Sequence, residues 1–461
     1  MLSKKITYYL IAIIAIVLSV VGAITSIVSN VAQNEYKQNL KQAEEYAEKK
    51  LYKKSSYYYD LVIENKDEAE YRLSQLDVIK KGVQAGEFGD NEYQDYLSKF
   101  VSSHYKEKYS YEVALEYYYS NQEYDSCVTL INQAKKYAVA SEAISKKDEQ
   151  ISKKYKLIKT NYNSVTPFRN YMSRVELDSL CGIVLDNGTK VANTAYSDMS
   201  PYFYVTENQN EDRMWSFVKD GKKAYIVNRS FVRQGYLPDT VESSSGVGDA
   251  LLSCKIGNRY KYYSIDGKEA FGNYTYASKF ITDVAAAFDN GEWFLINTKG
   301  EKICNEVFDE IKLNQFDECV KNHLIFAKKH GENKFTAYSY NDGKITDTKK
   351  TFDDVDLPPA GGEPIAFKEN GKWGFMDSAL KTVISPQYAN AHSFSNGYAG
   401  VEMKGGWNFI KSDGNLLLDL DDEFTDTGYF SVYENNKGEK MGYCYVELNE
   451  HWQLISLYKC S

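Results

Sequence analysis

The sequence predicts a multidomain α + β protein with a transmembrane helix, an α-helical segment and a C-terminal all-β repeat domain. Three observations lead to this fold class. Residues 6–34 carry no charged side chain, and residues 34–163 lack proline and space their apolar side chains as helices do. The C-terminal half repeats a short phrase of glycine and aromatic residues. At 461 residues the chain is long enough for two or three domains.

The predicted boundaries follow changes in composition along the chain. Residues 1–5 form a cytoplasmic N-terminus, 6–32 a transmembrane signal anchor, 33–165 an α-helical stalk and 166–461 the repeat domain. Apolar residues make up 43% and charged residues 26% of the chain, which is typical of proteins with buried cores. The net charge of −9 argues against nucleic acid as a partner, because phosphate binding needs a basic face.

The N-terminal anchor is predicted from the length of its apolar run. About 20 apolar helical residues span a bilayer core, whereas the apolar part of a cleaved signal peptide has roughly 7–15 residues. Lys4 and Lys5 precede the run, and the first charge after it is Glu35. The positive-inside rule therefore places the N-terminus in the cytoplasm and the bulk of the chain outside the cell membrane. A cleaved signal peptide is the alternative, with Ala23-Ile24-Thr25 as a weak cleavage site.

The segment after the anchor is predicted to contain several helices. Two stretches resemble tetratricopeptide helix pairs, in which a small residue on one helix admits an aromatic side chain from its partner. The matching positions are Ala43, Tyr46, Tyr52, Ser55, Tyr59 and Val62 in the first stretch, and Leu115, Tyr118, Tyr124, Cys127, Ile131 and Ala134 in the second. The signature tryptophan and the helix-ending proline of that family are absent. A generic amphipathic bundle is the alternative.

The C-terminal half repeats a unit that begins with glycine and an aromatic residue. Units start near residues 221, 257, 291, 332, 371, 405 and 438, and a further one is possible near Cys181. Alternation within the phrase predicts a half-buried strand, and the Asp-Gly and Asn-Gly pairs after it predict hairpin turns. The motif residues are Gly291, Trp293, Gly371, Trp373, Gly374, Phe375, Gly406, Trp407, Phe409 and Gly442.

The unit from Gly371 to Val401, which includes Ile384-Ser385-Pro386-Gln387-Tyr388, resembles the WG-repeat family of bacterial proteins. The resemblance extends more weakly from about residue 178 to the C-terminus. It implies a β-repeat architecture and a role in interaction, and it implies neither a ligand nor catalytic residues. Seven or eight short units favour a closed β-propeller, which protects sheet edges. An open β-solenoid is the alternative.

Motifs for catalysis or metal binding are absent from the sequence. It contains no HExxH, GxSxG or GxxxxGK motif, and its Asp-Gly turns lack the ligand set of an EF-hand. The seven cysteines are too dispersed for a zinc site and are expected to be free thiols, with one disulfide as the alternative. We expect no catalytic residue, no metal and no cofactor. The tryptophans are expected to pack between units, and an aromatic platform for glycans is the alternative.

These observations predict a non-catalytic, membrane-anchored binding or scaffold protein. It would display the repeat domain outside the cell for recognition of a protein or a cell-envelope glycan. Specificity is expected in two loops where the repeat breaks down, Pro238–Gly248 and Asp353–Glu363. A propeller-type glycan-active enzyme and a purely structural envelope component are the alternatives.

Overall fold

The computed structural model describes residues 2–204, 214–420, 423–435 and 438–460, and for residues 2–13 and 27–32 it describes the backbone alone. The chain divides between Ile151 and Ser152 into two compact regions. The first is called the helical region here and the second the β region, and each is described by itself.

The helical region contains seven helices in its described residues. They are α1 (Leu2–Glu48), α2 (Tyr52–Asn65), α3 (Ala69–Gln84), α4 (Asp90–Ser103), α5 (Lys108–Ser120), α6 (Tyr124–Lys136) and α7 (Glu142–Ile151). Each helix packs on the next one along the chain.

The segment 6–32, predicted to span a membrane, lies within α1. Among the residues whose side chains the structure describes, no helix is long and apolar enough to cross a bilayer. The side chains of residues 6–13 and 27–32 belong to the predicted span and lie outside the described ones.

Two helix pairs share the same close contact. The Ser55 hydroxyl of α2 donates to the Ala43 carbonyl of α1 at 2.7 Å, and the Cys127 thiol of α6 donates to the Leu115 carbonyl of α5 at 4.0 Å. Each contact joins residues twelve positions apart, and all four residues are buried. The small side chains Ser55 and Cys127 thus allow the second helix of each pair to lie against the backbone of the first.

The β region consists of antiparallel strands, and over the described residues 152–204, 214–420, 423–435 and 438–460 they group into eight successive blades. Blade 1 contains β2 (Ser164–Val165), β3 (Met172–Leu177), β4 (Leu180–Leu185) and β5 (Lys190–Tyr196). Blade 2 contains β6 (Asp198–Met199), β7 (Phe203–Tyr204), β8 (Met214–Asp220), β9 (Lys223–Asn228) and β10 (Arg233–Leu237). Blade 3 contains β11 (Ser243–Gly248), β12 (Leu251–Ile256), β13 (Arg259–Ser264) and β14 (Glu269–Tyr274).

Blades 4 and 5 form one continuous sheet, because Trp293 of β17 pairs with Phe308 of β18. Blade 4 contains β15 (Tyr276–Ala277), β16 (Val284–Asp289) and β17 (Glu292–Asn297), and blade 5 contains β18 (Phe308–Ile311), β19 (Leu324–Lys329), β20 (Phe335–Asn341) and β21 (Lys344–Phe352). Blade 6 contains β22 (Asp354–Asp356), β23 (Ile365–Glu369), β24 (Lys372–Met376) and β25 (Thr382–Tyr388). Blade 7 contains β26 (Asn390–Ala391), β27 (Tyr398–Met403) and β28 (Gly406–Lys411).

Blade 8 joins the end of the β region to its beginning. It contains β29 (Asp426–Thr427), β30 (Ser431–Glu434), β31 (Lys440–Leu448) and β32 (His451–Leu457), and its outer strand is β1 (Tyr155–Tyr162). β1 pairs with β32 in antiparallel fashion, and the Thr160 N–H donates to Gln453 Oε1 at 2.8 Å. The series of blades is therefore closed. This closure gives a β-propeller-like fold, and the alternative of an open solenoid is wrong.

Eight apolar clusters hold the described blades together, and each lies between two neighbouring blades. Between blades 6 and 7 the cluster contains Trp373, Phe375 and Phe394. The cluster that contains Tyr162 and Tyr445 joins blade 8 to blade 1. Because the ring has no terminal blade, every blade buries apolar side chains on both faces.

Two predicted boundaries differ from the structure. The β region begins at residue 152 rather than 166, because β1 lies in the segment predicted as the end of the stalk. The last unit was predicted to start near residue 438, but the last hairpin turns at Asn449-Glu450. Gly438 lies in the turn between β30 and β31, and Gly442 lies within β31. Both errors come from blade 8, because β1 is distant in sequence from the other strands of that blade and because a further hairpin follows the turn at Gly438.

Candidate binding site at the centre of the ring

The glycines of the repeat motif lie where the backbone requires them. Gly291, Gly371 and Gly406 have φ values of +86°, +77° and +114° in the hairpins between the second and third strands of their blades. Gly374 has no such φ, but a Cβ atom there would lie 2.6 Å from the Ile384 carbonyl oxygen. The outer strand β25 therefore passes too close for any side chain at this position.

The aromatic residues of the motif are used in packing. Trp373 and Trp407 are 7% and 6% exposed, Phe375 and Phe409 are fully buried, and Trp293 packs half-buried against the cluster between blades 4 and 5. Little of these rings is open to a ligand, so a binding site is expected among the loops.

The loop of blade 5 between β18 and β19, residues 312–323, crosses the centre of the ring. Its Phe316 ring contacts Phe203 of blade 2 edge-on, with centroids 5.5 Å apart. Its Gln315 side chain donates to the hydroxyl of Tyr429 in blade 8. Its Glu318 carboxylate meets Arg169 of blade 1, which lies opposite blade 5 in a ring of eight. The blade 5 loop therefore fills the central channel at this end.

A buried cluster of charges surrounds Glu318 and is called the axial cluster here. Its cations are Arg169, Lys279 and Lys321, whose nitrogens lie 2.5, 2.8 and 2.5 Å from the Glu318 carboxylate. Glu318 is fully buried, and Lys279 and Lys321 are 2% and 6% exposed. A single carboxylate thus pairs with three cations contributed by blades 1, 4 and 5.

The pKa values in the axial cluster follow from burial and from mutual charge. Burial alone would raise the pKa of the Glu318 carboxyl, but the charges of Arg169, Lys279 and Lys321 hold that pKa well below its usual range. Burial lowers the pKa of Lys279 to about 7, although Glu318 opposes the shift. Burial likewise lowers the pKa of Lys321. Glu318 is therefore ionised at neutral pH, whereas Lys279 is only partly charged.

A pocket of about 420 Å³, called the axial pocket here, opens beside the axial cluster. Its described lining residues are Arg169, Phe203, Tyr204, Val247, Gly248, Asp249, Lys279, Phe280, Ile281 and Glu318. They come from blades 1 to 5, and ligand pockets of roughly 300–1,000 Å³ with a few polar groups are common in binding proteins.

Both segments predicted to carry specificity reach this end of the ring. Gly248 lines the axial pocket, and the carbonyl of Pro359 accepts a hydrogen bond from Lys321 at 3.2 Å. The segments are not loops throughout, because Ser243–Gly248 forms β11 and Asp354–Asp356 forms β22. Their serine- and aspartate-rich sequences lack the apolar alternation of a typical strand, which explains the error.

A second polar network lies among the inner strands of blades 6 to 8. His392 Nε2 lies 2.9 Å from Asp426 Oδ1, and the imidazole stacks on Trp407 with centroids 4.7 Å apart. The Tyr429 hydroxyl donates to both oxygens of Asp356 at 2.8 Å. The bond between His392 and Asp426 has an equivalent between blades 5 and 6. There Lys312 Nζ donates to Asp354 Oδ1, on the inner strand of blade 6, at 2.7 Å. The His392–Asp426 pair therefore links neighbouring blades.

We expect His392 to make stability depend on pH. Burial would lower its pKa, but the hydrogen bond that His392 donates to Asp426 and the charge of Asp356 raise that pKa above the usual value. A raised native pKa gives stability that is fully present below about pH 6.5 and is lost as pH rises through the native pKa. His392→Asn should therefore lower the urea midpoint more at pH 6 than at pH 9. His330→Asn, at a histidine with 88% of its side chain exposed, is the control. An equal effect of His392→Asn at both pH values would contradict the assignment.

Neither the axial cluster nor His392 was predicted as a site. A usable signal existed, since a polar residue, a variable residue and an aromatic residue recur in three blades, as Ser278-Lys279-Phe280, Asn314-Gln315-Phe316 and His392-Ser393-Phe394. The aromatic residue of each triplet is buried in the ring. The variable residue differs between blades, so the sequence alone does not show which variable residues meet.

The remaining chemistry of the described residues is limited. All seven cysteines are free, in agreement with the predicted thiols. In the part of the chain that the structure describes, no group of three or more His, Cys, Asp or Glu side chains is arranged to hold a metal ion.

Comparisons with known proteins identify the repeat and find solved structures to which the chain is similar. A family model described as WG containing repeat matches residues 373–407, from β24 to the start of β28. Among solved structures, Saccharomyces cerevisiae Sqt1 is 9% identical, with 65% of this chain and 97% of that chain covered at a TM-score of 0.39. Kluyveromyces lactis Hsv2 is 7% identical, with 63% and 97% covered at a TM-score of 0.32. No curated protein matches the chain. The chain therefore contains a recognisable WG repeat within a β-propeller-like ring of eight described blades.

Proposed function

We propose that this chain is a non-catalytic, membrane-anchored binding protein that presents its β region outside the cell to a protein or an envelope glycan. One observation carries the proposal. Gly248 and Pro359, one from each variable segment, lie at the end of the ring that holds the axial pocket, whereas the repeated aromatic residues are buried in packing. Variable loops on a rigid repeat scaffold are the usual arrangement of binding proteins.

In this proposal the helical region is built from tetratricopeptide-like pairs. The matching contacts of Ser55 with Ala43 and of Cys127 with Leu115 support it, because they occupy the small-residue positions expected for such pairs.

Residues 6–32 would hold the chain in the membrane. The charges at Lys4, Lys5 and Glu35 support a cytoplasmic N-terminus, and a reporter fused after Ser461 should then be active only outside the cytoplasm.

The alternative of a glycan-active enzyme is less favoured by the carboxylates near the pocket. A general acid or base must reach a substrate and exchange a proton with it near the working pH. Glu318 is fully buried, and three cations hold its pKa well below the usual range. Asp356 is engaged by the Tyr429 hydroxyl. These carboxylates are therefore better suited to structure than to turnover.

Binding is tested with immobilised residues 152–461 exposed to envelope proteins and to a glycan array. A variant in which residues 358–363, between β22 and β23, are replaced by Gly and Ser of equal length should lose at least 90% of the retained material. The matched control replaces residues 330–333, in the hairpin between β19 and β20 at the opposite end of blade 5. Retention that is the same for both variants would overturn the proposal.

A further inference from the structure

The axial pocket combines an apolar wall with two basic groups. Its apolar lining comes from Phe203, Val247, Phe280 and Ile281. Its cations are Arg169 and Lys279, and both already contact the Glu318 carboxylate. A ligand here would find an apolar surface and positive charge within one pocket.

Arg169 is positioned to accept a second anion. Its side chain is 25% exposed, and its guanidinium carbon lies 5.3 Å from the ring centroids of both Phe203 and Phe316. Glu318 accepts a hydrogen bond from Nη1 at 2.5 Å. A guanidinium has five N–H donors in a rigid fork, so further donors remain for a planar carboxylate.

The charges around the pocket leave Lys279 poorly compensated. It lies 3.1 Å from the centroid of the Phe203 ring and shares Glu318 with two other cations. Of the other nearby carboxylates, Asp317 accepts a hydrogen bond of 2.6 Å from the Tyr276 hydroxyl, and Asp249 accepts one of 2.8 Å from the Asp283 N–H. Burial raises the pKa of Asp317, which weakens its negative charge. An added anion would stabilise the protonated form of Lys279.

We propose that the axial pocket binds a carboxylate group carried on an apolar body, such as the C-terminal residue of a peptide. Arg169 holds the carboxylate, Lys279 adds charge, and the wall of Phe203, Phe280 and Ile281 contacts the apolar body. A sugar acid has the same carboxylate, but its hydroxyl groups would lose hydrogen bonds to water against this wall. This inference rests on the proposed binding role of this end of the ring and narrows it to one chemical class.

Calorimetric titration of the full-length protein tests the inference with three probes. N-acetylphenylalanine should bind at least tenfold more tightly than its neutral amide and at least tenfold more tightly than glucuronate. Its affinity should fall several-fold from pH 6 to pH 8.5, because Lys279 loses its charge over that range. Equal binding of acid and amide would overturn the role of charge, and tighter binding of glucuronate would overturn the apolar body.

Arg169→Gln should lower the affinity for N-acetylphenylalanine at least tenfold. Arg259→Gln, which removes an arginine with 41% of its side chain exposed and paired with Asp289 on another face, should leave it unchanged. If Arg169→Gln does not fold, the comparison of the three probes on the natural chain still decides whether the pocket selects a carboxylate on an apolar body. A loop variant that loses its partner, together with a natural chain that binds all three probes equally, would refute the carboxylate site and leave the binding role standing.

Discussion

Replacing Glu318 by glutamine should lower the free energy of unfolding of the β region by about 3–5 kcal/mol, the usual effect of breaking a buried ion pair. Glutamine keeps the size of the side chain but leaves Arg169, Lys279 and Lys321 without their shared counter-charge. Chemical denaturation of residues 152–461 measures the loss. The effect should be smaller at pH 8 than at pH 6. Glu318 opposes the lowering of the Lys279 pKa, so that pKa falls further in the variant. Native Lys279 of the variant is then neutral at both pH values while the unfolded chain stays protonated, and the variant gains more stability between pH 6 and pH 8 than the natural chain does.

The matched control is Glu310→Gln. Glu310 has 45% of its side chain exposed and pairs with Lys328 at 2.6 Å on the same blade. An exposed pair of this kind contributes at most about 1 kcal/mol. If Glu318→Gln is no more destabilising than Glu310→Gln, the axial cluster does not hold the blades together as its geometry indicates.

Removal of β1 should prevent the ring from closing. Residues 163–461 lack the strand that pairs with β32, and with it they lose Tyr155 and Leu157 from the cluster between blades 7 and 8. Full burial of one large apolar side chain is worth about 1.5–3 kcal/mol. The truncation removes buried Tyr162, the half-buried apolar side chains of β1 and the strand's hydrogen bonds together, so the loss should exceed about 5 kcal/mol. We expect residues 163–461 to show no cooperative unfolding transition, or one at far lower urea than residues 152–461.

A peptide of residues 152–163, added in trans, should restore the transition, because it supplies the missing strand to an exposed edge. The same peptide with Leu157 and Ile158 both replaced by serine is the control and should not restore it. A cooperative transition of residues 163–461 at the midpoint of the longer chain would show that β1 is not needed for closure.

The repeat and its turns could be predicted because their signals are local. The Trp373 phrase alternates within one strand, and turns such as Asp413-Gly414 follow from residue types that favour positive φ. The structure places these strands and turns in the blades as expected, and the closed ring was the favoured arrangement. The predicted number of seven or eight units agrees with the eight blades that are described.

The errors and omissions depend on contacts that are distant in sequence. β1 finds its partner almost 300 residues later, so no local pattern separates it from the helices before it. Arg169 and Glu318 are 149 residues apart and meet only because blades 1 and 5 face each other. A lone arginine and a lone glutamate on loops look like ordinary solvated residues in the sequence. The candidate site therefore required the closed ring before it could be recognised.

The pairing of β1 with β32 also sets when the domain can be completed during synthesis. Roughly 300 residues separate the two strands, and at about 5–20 residues per second the ribosome needs roughly 15–60 s between them. Throughout that time the first blade has no neighbour on one side, and the apolar side chains of β1 must wait for a partner not yet made. A prematurely terminated chain never acquires β32 and keeps an open strand edge, which proteases and chaperones can distinguish from the finished product.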